Sequence, residues 1–199
     1  MSHNTWIHRV ARAVVVRPLA KTPVTPNQVT TARLATGLAA AALLAVGQGS
    51  WPDIAAGLFV LAMVLDRADG DLARMTGRTS PGGHTYDLVA DATCNGMIFF
   101  ALGVSLRDGA FGAWAILMGA MAGLAVVAIL WKVVRIEAAN GARAAELGGA
   151  AGFDPDDAML VVPLAIWFGG STVLLAAASI GAPLFAAFFA WKFRAILFR

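Results

Sequence analysis

The sequence predicts an all-α integral membrane protein, with six transmembrane helices preceded by an N-terminal interfacial amphipathic helix. Three observations carry that reading. Hydrophobic residues make up 59% of the 199 and charged residues only 14%, where soluble domains carry roughly 25% charged residues. Apolar stretches of membrane-spanning length recur along the chain between short connections rich in Gly and Pro. The basic residues then fall almost entirely on one side of the resulting layout. A mean hydropathy of +0.72 excludes an ordinary water-soluble domain. The single cysteine, Cys94, leaves neither a disulfide framework nor a thiolate metal cluster.

Taken in order, residues 1–22 read as an amphipathic juxtamembrane helix and residues 23–199 as a six-helix transmembrane domain. Between Thr5 and Leu19, apolar Trp6, Val10, Ala13, Val14 and Leu19 recur at helical spacing while Arg9, Arg12 and Arg17 interrupt them. That apolar core is too short and broken for a signal peptide. A basic amphipathic helix in the headgroup layer fits it, with a frayed basic terminus as the alternative. Spans follow at approximately 29–47, 54–77, 84–106, 112–135, 157–177 and 180–198. Crossing the hydrocarbon layer takes about 20 apolar residues, and lipid offers backbone groups no partner, so each span must be a helix. Breakers mark the connections at Gly47, Gly49 and Pro52, at Pro81 to Gly83, at Asp108 and Gly109, at Gly148, Gly149 and Gly152, and at Gly181 and Pro183. In this layout all of the 15 basic residues except Arg107 lie on the side of both termini. The positive-inside rule puts that side in the cytoplasm. Periodic placement at membrane edges also argues against a nucleic-acid surface.

The second span begins with the apolar run Ile54 to Leu65 and then turns polar with Asp66, Asp69, Gly70, Asp71 and Arg74. The third begins with Asp87 and Asp91 and becomes apolar only beyond Ala92. Both polar halves flank one loop, and spacings of three and four residues put each acidic pair on one helix face. Two antiparallel helices joined by Arg78 to Gly83 would bring those faces together. Acids at membrane depth are costly and mark function. Clustered hard oxygens without His or Cys select Mg²⁺, Mn²⁺ or Ca²⁺, and two such ions commonly clamp a phosphate. The competing reading is a structural ion-pair net with Arg67, Arg74 and Arg78. Gly70, costly inside a helix, lets a ligand lie against the backbone; Gly83 does the same or is simply a turn glycine. Ala73 keeps that face low, and Arg74 offers a fork for phosphate. Asp71 and His84 read as solvated surface.

The run Asp66-Arg67-Ala68-Asp69-Gly70-Asp71-Leu72-Ala73-Arg74, then eight residues, Gly83, three residues, Asp87, three residues and Asp91 resembles the signature of the CDP-alcohol phosphotransferases. All eight fixed positions of that pattern are matched. The six-span layout and polar N-terminal helix are also similar to the family. The resemblance implies transfer of a phosphoalcohol from a CDP-alcohol to an acceptor hydroxyl, with release of CMP. It implies that Asp66, Asp69 and Asp87 hold two Mg²⁺ or Mn²⁺ ions, with Asp91 a ligand of one and the general base. It places Asp69, Gly70, Ala73, Arg74 and Gly83 at the CDP pocket. The stretch Pro26-Asn27-Gln28-Val29-Thr30 resembles the family motif that brings Asn27 and Thr30 to the cytidine; alternatively Thr25 or Asn27 caps the first span, with Pro26 at its start. A homodimer is implied by the resemblance alone.

By analogy with small bacterial members, the expected donor is CDP-diacylglycerol and the expected location is a bacterial plasma membrane, the site facing the cytoplasm. Lys132 and Arg135, with Arg194 and Arg143, either bind the phosphate of an acceptor such as glycerol phosphate or inositol phosphate, or are anchors at the membrane edge. Gly152 to Asp157 read first as caps of the fifth span. The alternative from another class is a divalent-cation-dependent transporter. That reading predicts polar groups in both halves of the chain.

Overall fold

The computed structural model describes residues 10–140 and 155–197, and every regular element in them is helical. A π-helical turn, Arg12–Val16, runs into Arg17–Leu19 (together α1). Then come α2 (Pro26–Val46), α3 (Trp51–Thr76), α4 (Pro81–Ser105) and α5 (Trp114–Asn140). A 3-10 turn, Pro155–Leu160, leads into Val161–Trp167 (together α6), followed by α7 (Ser171–Lys192) and the short α8 (Arg194–Leu197).

Local chemistry sets the ends. Thr25, not Asn27, caps α2: its hydroxyl accepts from the Gln28 N–H, the Gln28 side chain accepts from the Thr25 N–H at 2.9 Å, and Pro26 occupies the first helical position. Helix α3 stops at Gly77, whose φ of +67° suits glycine. Ser80 caps α4 by accepting from the Gly83 N–H at 3.0 Å.

The long helices close into a ring in which α2 packs against α3 and α4, α4 against α5, α5 against α7, α7 against α6, and α6 against α3. The core is built from Leu44, Phe59, Ile98, Leu102, Val162 and Leu175, with many alanines between them. Helices α3 and α4 make almost no direct backbone contact. The antiparallel pair expected from the sequence is instead held apart by α2, whose small residues Gly37, Ala40 and Ala41 are buried between them. At the α4–α5 seam the backbones nearly touch: a Cβ on Gly119 would lie 2.5 Å from the Phe99 carbonyl oxygen, and one on Gly103 would lie 2.4 Å from that of Ala115. Small residues permit this approach where no hydrophobic effect drives helices together.

Four described helices are long and apolar enough to cross a membrane: Pro26–Val46, Gly82–Ser105, Trp114–Ile136 and Ser171–Lys192. Helix α3 has the length, but Asp53, Asp66, Arg67, Asp69, Asp71 and Arg74 interrupt its hydropathy. The last two expected spans need correction. The chain does not break at Gly181 and Pro183, which lie inside α7; it breaks at Phe168–Gly170, where Gly169 has a φ of +71°. A lone proline is tolerated within an apolar helix whose neighbours satisfy the freed carbonyl, whereas paired glycines readily end one. The segment before that break, Ala158–Trp167, is a short apolar helix.

Residues 1–9, and with them the first part of the expected N-terminal amphipathic helix, lie outside the described residues, as do Arg143 and Gly152 to Asp154. In α1 the packing face is not the predicted stripe. Ala11 and Val16 are buried against Val29, Ala68 and Leu72, while Val10 and Val14 are exposed.

Gly119→Ala is expected to lower the melting temperature of the purified protein, since the new Cβ must push two backbones apart at a cost of about 1–3 kcal/mol. Gly181→Ala, whose Cβ meets nothing within 4 Å, is expected to leave it unchanged or raise it. Equal melting curves for the two variants would contradict the close packing.

Candidate active site

Three helices supply the site. From α3 come Asp66 and Asp69, from α4 come Asp87 and Asp91, and from α2, which lies between, come Thr30 and Arg33. The spacing of Thr30 and Arg33 puts both on one face of α2, as it does for the acids on their own helices. Arg33 is the centre of the arrangement and only 3% exposed. Its Nη1 lies 2.7 Å from Asp66 Oδ1 and 2.9 Å from Asp87 Oδ1, and its Nη2 donates to Asp91 Oδ1. One guanidinium therefore ties the acids of α3 to those of α4. Arg67 donates to the other oxygen of Asp66.

Asp69 is buried and accepts from the Thr30 hydroxyl at 2.7 Å. Asp91 Oδ1 also accepts from Asn95 Nδ2 at 2.8 Å, one turn further into α4. Beneath the acids a cavity of about 20 Å³ has a polar wall (Arg33, Asp66, Asp91 and Asn95) and an apolar one (Phe59, Ala62, Met63 and Met159).

The sequence-expected aspartates are thus brought together, but around an arginine. Among the described residues, no three His, Cys, Asp or Glu side chains are arranged to hold a metal ion. The donor set nevertheless fits a hard divalent cation. It consists of carboxylate oxygens alone, and four carboxyls against two guanidiniums leave a formal excess of two negative charges. Arg33 stands where a cation's charge would be needed.

Sequence reading missed Arg33 and Asn95. By sequence Arg33 is one of the basic residues on the side of both termini, although a lone cation inside a span beside an acidic cluster is a signal for its partner. Gly83 lies in the first turn of α4 and is not at positive φ; a Cβ there would meet Asn27 Oδ1 at 2.9 Å, so its open space holds the Asn27 amide. The Arg74 guanidinium lies over Gly70, 3.6 Å from where a Cβ would be, and Ala73 lies half-buried beside it. Asp71 is a correction: it is 2% exposed, not solvated, and it binds Arg12 and Arg74. His84 is exposed as expected.

The three cations assigned to an acceptor make their contacts toward α5 and α7 rather than with the acids. Lys132 Nζ donates to the Ala186 carbonyl at 3.3 Å. Arg135 lies 4.7 Å over the Trp131 ring, and Arg194 lies 5.6 Å over that of Trp191.

A family model described as CDP-alcohol phosphatidyltransferase matches residues 23–193. The chain belongs to that family. Members are generally dependent on divalent metal. Over 105 residues the chain is 33% identical to a bifunctional IPC transferase and DIPP synthase of Rubrobacter xylanophilus, a match covering 52% of this chain and 23% of that protein. The four apolar helices and the family together make the chain a multi-pass integral membrane protein.

Arg33→Gln is expected to destabilise the chelator-treated protein by less than the ~3–5 kcal/mol of a fully buried pair, because three partly exposed acids lose their common buried partner. Added Mn²⁺ is expected to raise the melting temperature of the variant more than that of the wild type. A variant as stable as wild type in chelator contradicts this account of the cluster.

Proposed function

We propose that this transferase moves a phosphatidyl group from a CDP-alcohol, CDP-diacylglycerol by preference, to an acceptor hydroxyl, with CMP as the other product. The observation that carries the reading is the gathering of Asp66, Asp69, Asp87 and Asp91, all fixed positions of the family pattern, around one buried site. Those four carboxylates would hold two Mg²⁺ or Mn²⁺ ions. Bound there, the ions supply neutralisation of the diphosphate and of the charge that develops on the departing CMP.

The chain's own residues have separable tasks. Thr30 fixes the orientation of Asp69 through its hydroxyl hydrogen bond. Gly70 leaves the α3 backbone open to the donor, and the Arg74 guanidinium over it is a fork for a phosphate. Asn27, seated in the space at Gly83, stands at the α2–α4 junction where the cytidine is expected. Asn95 holds one oxygen of Asp91, leaving the carboxylate aimed to take the acceptor proton as the hydroxyl attacks the β-phosphorus. The apolar wall of Phe59, Met63 and Met159 adjoins the acids, which suits a donor with acyl chains. The arrangement of charges supports a site and termini facing the cytoplasm.

The acceptor assignment rests on Lys132, Arg135 and Arg194 as a phosphate-binding group, with glycerol phosphate or inositol phosphate as the favoured classes. A transporter reading gains nothing from α7, which contains no acid.

CMP release from CDP-diacylglycerol with Mn²⁺, assayed against a panel of acceptors with the lipid product identified by mass spectrometry, tests the reading. Asp91→Asn is expected to slow CMP release about 10²–10⁴-fold, the usual share of a general base. Asp87→Asn is expected to abolish turnover and weaken Mn²⁺ binding. Normal turnover in either variant, or ion flux into liposomes without CMP, would overturn the assignment.

A further inference from the structure

We propose that the cleft between α1 and the last turns of α3 is a phosphate-binding site, built by Arg12, Arg17 and Arg74 and organised by Asp71, for a phosphate monoester or diester at the membrane edge. The cleft measures about 510 Å³ and is lined by these four residues and Met75. Asp71 is its fixed point. With its side chain 1% exposed, Oδ2 accepts from Arg12 Nε and Nη2, each at 3.1 Å, and Oδ1 accepts from Arg74 Nη2 at 2.5 Å. One buried carboxylate thus holds two half-exposed guanidiniums in place, and their remaining N–H groups are left for another acceptor.

A purely structural clamp would need only Arg12, Asp71 and Arg74. The third arginine and the local backbone point to more. In an α-helix, residues five apart do not share a face. Here the Arg17 N–H bonds the Arg12 carbonyl in a π-helical turn, which stacks Arg17 beside Arg12 on the cleft wall; such turns occur often at functional sites. The Arg17 side chain is exposed and makes no hydrogen bond or ion pair among the described residues. Three guanidiniums against one carboxylate leave a surplus of positive charge in a concave site. Planar forks of this kind match phosphate oxygens two at a time. Exposed Met75 provides an apolar shoulder. The cleft lies on the α1 side of α3, and Arg74 is the one residue it shares with the proposed donor pocket; Arg12, Arg17 and Asp71 have no part in that reading.

The test is equilibrium binding of dihexanoyl phosphatidic acid, and separately of inorganic phosphate, to the full chain in neutral detergent with EDTA present, so that metal-dependent donor binding makes no contribution. Arg17→Gln, which removes no contact within the described residues, is expected to weaken binding about tenfold, the equivalent of one lost hydrogen bond to a charged group. Arg12→Gln/Arg17→Gln is expected to weaken it further. Lys21→Gln, the same charge change outside the cleft, is expected to leave it unaltered. Phosphatidic acid binding that phosphate fails to displace identifies a lipid headgroup site, and displacement by millimolar phosphate identifies a site for free phosphorylated compounds; both support the proposal. It is overturned if neither ligand binds, if Arg17→Gln binds as wild type does, or if Lys21→Gln weakens binding equally.

Discussion

A guanidinium buried among carboxylates is costly to hold, because each ion gives up several kcal/mol of hydration and recovers it only through close, complete pairing. Arg33 meets that condition by bonding Asp66, Asp87 and Asp91 at once. Much of the bundle follows from it. The acids of α3 and α4 would repel one another if those helices packed directly. With α2 between them, each helix carries its acids to the same cation while the helix axes stay apart. The opening between α3 and α4 and the charge at its floor are therefore two consequences of one arrangement.

The rest of the ring holds that opening in place. At the α4–α5 seam glycines bring the backbones into contact at Gly96, Gly103, Gly119 and Gly123. On the other side, Phe59 and Met63 of α3 pack into the common core with α6. Two acids are thus carried on a helix locked to α5 and two on a helix locked to α6. Sites carried on rigid elements keep their geometry better than sites on loops.

Helix α3 has two polar faces in its last three turns. Asp66 and Asp69 look toward α2, while Asp71 looks toward α1 and binds Arg12. Arg74 stands between them, over Gly70 and bonded to Asp71. The N-terminal segment is in this way joined electrostatically to the same helix that supplies Asp66 and Asp69 to the acidic cluster, beyond the apolar contact made by Ala11 and Val16.

Membership of a membrane-embedded family, the helical class and the acidic cluster were legible in the sequence, because each depends on local composition or on spacing along one helix. Hydropathy over about 20 residues reports burial in lipid whatever the neighbours are, and residues three or four apart share a helix face in any fold. What depends on a second helix was not legible. Nothing in the run from Thr25 to Val46 says that α2 lies between α3 and α4, so Arg33 looked like one more cation at a membrane edge. Asp71, solvated by its spacing, is buried because α1 folds over it. The break between α6 and α7 also went against the local signal, since a proline is carried through a helix when its surroundings satisfy the backbone, and that is a property of the packing. The sequence by itself determined which side chains bear charge and how far apart they stand along each helix. Only the tertiary structure decided which opposite charge each one meets, because ion pairing is set by distance through space and not by distance along the chain.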